Sequence, residues 1–114
     1  MFNSKVVSAL FLGYNGRVMG NQEITQKIEP ILKKYGVSYA GLFGSRSRGE
    51  VREDSDLDLL VKFNTPRSLF ELVGLEDDLS KTLDLPVDLV TEGALSPLLK
   101  AQIDKDIQTL YGER

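Results

Sequence analysis

An α/β domain on a small mixed β-sheet is what this sequence predicts, on three observations. The chain has 114 residues, room for one compact domain rather than two. Apolar residues recur at helical spacing in some segments and at strand-like density in others, in the order helix, strand, turn, strand, helix, strand, helix. The first two strands are joined by only about ten residues, short for a parallel crossover, so they run antiparallel; a helix joins the second strand to the third, as a parallel pair requires. With 41% apolar residues, 27% charged residues and four prolines, the chain is rich enough in large aliphatics to bury a core.

Taken in order, residues 1–20 read as an N-terminal extension of uncertain structure, and 21–114 as the domain. The short apolar stretch Val6 to Leu12 lacks a cleavage pattern after it, which argues against a secretory signal. Asn15-Gly16 between apolar runs suits a tight hairpin turn; an upstream extension with the functional unit starting near Met19 is the other reading, and both stay open. From Asn21, Ile24, Ile28, Ile31, Leu32 and Tyr35 mark a helix stopped by Gly36, with Pro30 expected to kink it or start a second turn. Val37 to Phe43 reads as a strand, Ser45 to Glu53 as a turn or very short helix, and Asp56 to Phe63 as a mostly buried strand. Pro66 to Leu83 is helical, with Pro66 near its start, and Leu85 to Thr91 is a third strand. Ser96 is placed to cap a last helix carrying Leu99, Ile103, Ile107 and Leu110.

Composition excludes several chemistries. Fourteen Lys and Arg against seventeen Asp and Glu give a net charge of −3, so no global positive field exists to hold a phosphate backbone, and strong nucleic-acid binding is not expected. Without cysteine or histidine there is no disulfide, thiolate nucleophile, zinc ribbon or imidazole base. Acid/base and metal chemistry must therefore rest on carboxylates. The missing cysteines suit a reducing compartment, and no apolar run approaches the roughly 20 residues that span a bilayer; the expected location is the cytoplasm, with no membrane association.

The chemistry concentrates in Gly44-Ser45-Arg46-Ser47-Arg48-Gly49 and Asp54-Ser55-Asp56-Leu57-Asp58. A phosphate-binding P-loop would need Lys and then Ser or Thr after Gly49, where Glu50 and Val51 stand. A calcium-binding EF-hand loop opening at Asp54 would need Gly and Glu where Leu59 and Thr65 stand. Strand geometry does better. Residues two apart share a face, so Asp56 and Asp58 converge while Leu57 and Leu59 turn to the core, and two carboxylates on one face make a divalent-metal site. The antiparallel pairing sets Gly44-Ser45 beside the start of that strand, where backbone N–H groups and a hydroxyl suit a polyphosphate and Arg46 and Arg48 add positive charge. Solvating a turn is the plainer reading for those two arginines, as surface carboxylates are for Asp56 and Asp58 taken alone.

Asp88, between Val87 and Leu89, turns away from the core by alternation, and a parallel third strand brings it near Asp56 and Asp58. Three such carboxylates can hold two Mg²⁺ ions about 3.5–4 Å apart, the arrangement of in-line phosphoryl transfer. With no histidine in the chain, Asp88 is the candidate to accept the proton of the attacking hydroxyl.

These residues resemble the nucleotidyltransferases of the DNA polymerase beta superfamily, whose signature is Gly-Ser, ten residues, then Asp-x-Asp. Here Gly44-Ser45 is followed by residues 46–55 and then Asp56-Leu57-Asp58. Asp88 resembles the later strand aspartate of that triad, and Leu42 to Val61 resembles the minimal nucleotidyltransferase (MNT) group in particular. The resemblance spans roughly Asn21 to Tyr111 and implies a mixed sheet flanked by helices, a Mg²⁺-nucleotide site, and an antitoxin role in which AMP from ATP is placed on a HEPN-domain ribonuclease partner. By position, Gly44 and Ser45 would contact the triphosphate, Asp56 and Asp58 hold metal, and Asp88 act with the second metal, with Arg46 and Arg48 in a stretch where the family carries basic residues. Residues 1–20 depart from the family start. The extra base-binding domain of larger relatives has no counterpart here, which implies weak or partner-dependent nucleobase choice.

Two other functions remain compatible with the sequence: a non-catalytic antitoxin that occludes its partner, and nucleotidyl transfer to a small molecule or an RNA end. A homo-oligomer is compatible as well.

Overall fold

The computed structural model describes residues 10–12, 18–44 and 57–114. A hairpin of β1 (Leu10–Leu12) and β2 (Val18–Gly20) leads into α1 (Asn21–Lys34), β3 (Val37–Phe43), β4 (Leu57–Phe63), α2 (Leu69–Leu83), β5 (Val87–Thr91), a short 3₁₀ turn (Glu92–Ala94), α3 (Pro97–Asp106) and β6 (Gln108–Gly112). The main sheet has the order β5-β4-β3-β6. β3 runs antiparallel to β4 and to β6, and β4 parallel to β5. The antiparallel and parallel pairings deduced from connection lengths are therefore the ones present. β1 and β2 pair antiparallel with Leu12 opposite Val18; Asn15-Gly16 and the stretch Val6 to Ala9 lie outside the described residues, as does the segment Ser45 to Glu53.

Two apolar layers sandwich the sheet. On one face Ile24, Ile28 and Leu32 of α1 and Leu75, Leu79 and Leu83 of α2 pack on Leu57, Leu59, Val61, Val87 and Leu89. On the other, Ile103 of α3 packs on Tyr39 and Leu60, with Phe43, Val90, Leu95 and Ile107 against them. α1 continues through Pro30. Pro30 and Gln26, the residue whose carbonyl loses its helical donor there, are both exposed, so water can serve the orphaned group.

α2 begins at Leu69, three residues beyond Pro66, because Ser68 and Glu71 form a capping box. The Ser68 hydroxyl accepts from the Glu71 N–H at 3.3 Å and donates to its carboxylate at 3.4 Å. Ser96 caps α3 in the expected way, accepting from Leu99 N–H, with Pro97 in the first turn.

The expectation that the last helix carries Ile107 and Leu110 is wrong. α3 ends at Asp106, Ile107 turns to extended backbone (φ −66°, ψ 134°), and β6 covers the otherwise open edge of β3. The three-residue spacing of Ile107 and Leu110 fits a helix, but β3 is buried at Tyr39, Ala40 and Leu42, and its second edge needs backbone partners. The Tyr39 and Thr109 hydroxyls are hydrogen-bonded at 3.1 Å, and Thr25 Oγ1 donates to the Leu110 carbonyl at 3.2 Å.

Arg114 clamps this end of the chain, its Nε on Glu92 at 2.8 Å and its Nη1 on Asp104 at 2.6 Å, while Lys62 reaches Glu92 at 3.4 Å. The Arg114 hydrogen bond, with help from Lys62, holds the Glu92 carboxyl below its ordinary pKa. Burial pushes the Asp104 carboxyl the other way, but hydrogen bonds from Arg114 and Lys100 outweigh it and leave that carboxyl low as well.

Candidate active site

The site forms where β3 ends and β4 and β5 begin. In β4, Leu57 and Leu59 belong to the α1/α2 core, so the alternation of a strand sends the half-buried Asp58 to the α3 face. β5 repeats the pattern, with Val87 and Leu89 buried and Asp88 exposed between them. The two strands are in register at this point, Asp58 directly opposite Asp88, on backbones that neighbouring strands place about 4.8 Å apart. One sheet face thus presents two carboxylates side by side.

Gly44 completes this edge. Phe43 is the register partner of Asp58, and Gly44 follows with φ +83°, a left-handed backbone that L side chains rarely adopt. A Cβ built there would run into Oδ2 of Asp58. The glycine therefore lets the chain turn at the strand end and lie against the carboxylate. Of the residues expected to act, Gly44, Asp58 and Asp88 are brought together; Ser45, Arg46, Arg48 and Asp56 lie outside the described residues.

Two residues that the sequence reading missed hold Asp88 in register. β5 is an edge strand, so the N–H groups on its outer side need partners. Ser80 Oγ accepts from Val87 N–H at 3.0 Å, and Glu76 Oε2 accepts from Leu89 N–H at 3.1 Å. Both acceptors come from α2, one turn apart, and they grip the residues on either side of Asp88. The signal for them is a polar pair four residues apart along an otherwise apolar helix flank. On the inner side, Leu57 N–H donates to the Pro86 carbonyl at 2.9 Å, extending the ladder toward the site.

The donor set suits magnesium, which prefers hard carboxylate oxygens and few protein ligands. Asp58 and Asp88 offer such oxygens from adjacent backbones. Among the described residues no group of three or more metal-ligating side chains occurs, so a three-carboxylate site depends on Asp56.

Residues 26–114 match the family described as polymerase beta, nucleotidyltransferase. A protein of Methanocaldococcus jannaschii, provisionally named a protein adenylyltransferase, is 46% identical over 85 residues, covering 75% of this chain and 91% of the relative. A crystal structure of a toxin-antitoxin with AMP-PNP superposes with a TM-score of 0.69 at 28% identity, covering 79% of this chain and 74% of the other. A tri-AMPylated HEPN toxin of Shewanella oneidensis in complex with its MNT antitoxin provides a second solved likeness, with a TM-score of 0.64 at 26% identity over 82% of this chain and 73% of the other. With the family's model matching residues 26–114 and a relative 46% identical over 91% of its own length, the chain belongs to the polymerase beta nucleotidyltransferase family and is a nucleotidyltransferase.

Proposed function

We propose that this chain is a Mg²⁺-dependent protein adenylyltransferase, the antitoxin of a HEPN/MNT pair, which acts in the cytoplasm and places AMP from ATP on a hydroxyl of its toxin partner. The observation that carries this reading is the register pairing of Asp58 with Asp88 against Gly44. Support comes from the M. jannaschii relative named for protein adenylylation and from the structure that holds an AMPylated HEPN toxin with an MNT antitoxin. The AMP-PNP complex supports ATP as the donor.

In the proposed reaction the acceptor oxygen attacks the α-phosphorus of ATP, the bond from that phosphorus to the bridging oxygen of the β-phosphate breaks, and pyrophosphate leaves. Asp88, exposed at the face of β5, takes the acceptor proton, a role in which a positioned carboxylate contributes about 10²–10⁴-fold. Gly44 and Ser45 bind the triphosphate, with Arg46 and Arg48 countering its charge. Mg²⁺ ions, two of them by this reading, would be held by Asp56, Asp58 and Asp88 and supply charge neutralisation together with a lowered pKa for the attacking hydroxyl.

The test is the intact mass of the HEPN-domain partner after incubation with this chain, ATP and Mg²⁺, beside Asp58→Asn and Asp88→Asn variants. Added AMP mass with the wild type alone is expected. A partner that stays unmodified while forming a stable complex with all three would instead make this chain an occluding antitoxin.

A further inference from the structure

Exposed apolar side chains carry meaning when they gather in one patch, and three of the five large ones among the described residues do so. Leu69, Phe70 and Val73 stand 74%, 90% and 56% exposed in the first turns of α2. Their spacing sets them side by side on the helix, turned from the stripe of Leu75, Leu79 and Leu83 that enters the core. Packing within the domain does not account for them.

Beside them the surface hollows out. A cavity of about 580 Å³ opens against the same turn of α2, lined by Phe63, Pro66, Arg67, Leu69, Leu72 and Thr91. It lies at the ends of β4 and β5, whereas Asp58 and Asp88 stand near the starts of those strands, roughly 15 Å away along the backbone. The cavity of about 140 Å³ beside Gly44, where Phe43 meets Asp106, adjoins the active site instead and is a separate feature.

We propose that this patch and hollow are the interface of a symmetric dimer, the partner being a second copy of this chain, with Phe70 of each copy seated in the hollow of the other. The inference goes beyond the proposed function and does not depend on it. A two-fold interface uses the same patch on both subunits, so it needs a projection and a matching recess next to each other on one surface. Phe70 is the projection, and Leu69, its neighbour along the chain, lines the recess. An aromatic side chain filling a pocket is the kind of contact that dominates the energy of an interface.

Charge fits the same arrangement. Arg67 and Glu71 are ion-paired at 3.0 Å along the helix, with side chains 29% and 44% exposed. An antiparallel crossing of the two α2 helices about Leu69 sets Arg67 of one copy against Glu71 of the other, and does so twice. The same crossing carries Phe70 to Ser68 and Val73 to Thr65 of the second copy, both on the lining of the hollow. The patch is thus complementary to itself in shape and in charge although the chain as a whole carries −3. A strongly basic or strongly acidic partner would meet a like charge in each Arg67–Glu71 pair. Asp58 and Asp88 of both copies stay open in this dimer, at the opposite ends of their strands.

Analytical ultracentrifugation of the full chain over a concentration series tests the proposal, beside Phe70→Asp, Arg67→Glu and Glu71→Arg. Wild type is expected to shift from monomer to dimer as concentration rises. Phe70→Asp, at an exposed position, should keep the wild-type Tm and weaken dimerisation by about thirtyfold or more. Each charge variant should dimerise more weakly alone, because like charges then face one another, and regain association in an equimolar mixture of the two, where opposite charges meet again. A wild type that stays monomeric at its highest soluble concentration overturns the proposal, and so does a dimer that Phe70→Asp leaves intact. A mixture that associates no more tightly than either charge variant alone overturns the crossing about Leu69 and the interface with it.

Discussion

Asp58 and Asp88 are direct register partners in the parallel β4–β5 ladder, both on the α3 face of the sheet. Two like charges placed opposite one another on a sheet oppose folding, and a divalent cation removes that opposition. Asp88→Asn should therefore fold with a Tm equal to or above that of wild type without Mg²⁺, and gain less than wild type when Mg²⁺ is added. Thermal melts with and without the ion check this; a lower Tm for the variant in the absence of Mg²⁺ would show that the pair is not a charge conflict. AMP transfer should fall by about 10²–10⁴-fold in the same variant.

Glu76 and Ser80 of α2 hold the outer N–H groups of Val87 and Leu89. Glu76→Ala leaves the Leu89 N–H without that acceptor, a loss of about 1–3 kcal/mol for a buried group. Glu76→Gln retains an acceptor oxygen and should recover most of the loss. Urea denaturation compares the two, and kcat for transfer should fall in the alanine variant and return with glutamine while KM for ATP stays near wild type. A rise in KM, or a fall in kcat that glutamine does not rescue, would point to the charge of Glu76 instead.

Gly44 has φ +83° and no room for a Cβ against Asp58. Gly44→Ala should cost about 1–2 kcal/mol from the left-handed backbone alone, and more once the Asp58 carboxylate is displaced, with activity lost as well. Gly93, around which nothing lies within 4 Å of a new Cβ, is the control: Gly93→Ala should keep wild-type transfer and stability in the same assays.

The Arg114 clamp predicts a pH dependence. Glu92 and Asp104 both have folded-state pKa values below their ordinary ones, with Arg114 hydrogen-bonded to each. A depressed carboxyl contributes stability above its unfolded pKa, about 4 for these groups, and that contribution disappears as pH falls through the folded value. Arg114→Ala should accordingly lower Tm at pH 7, and the gap to wild type should close below about pH 4. A gap that persists undiminished in acid would mean that Arg114 acts through packing rather than charge.

Much of this protein is legible in its amino-acid order. Apolar spacing places the first helix and the three strands from Val37 to Thr91, because burial on one helix stripe or in a sheet leaves a periodic mark on the residues. Connection length alone distinguishes the antiparallel from the parallel pairing. The Gly-Ser and Asp-x-Asp spacing points to the chemistry, and alternation along β4 sends Asp58 to the face opposite the core that Leu57 and Leu59 enter.

Tertiary structure decided what depends on partners distant in sequence. Leu110 satisfies helix and strand periodicity equally, and only the open edge of β3 drew residues 108–112 into β6. Asp88 is an ordinary strand carboxylate until the β4–β5 register sets it opposite Asp58, and that register is held by side chains of α2. The cavity beside Gly44 is likewise invisible along the chain, because Phe43 and Asp106 meet only when α3 folds across the sheet. Local spacing is written in the side chains themselves, whereas register and juxtaposition follow from the requirement that every buried backbone group find a partner.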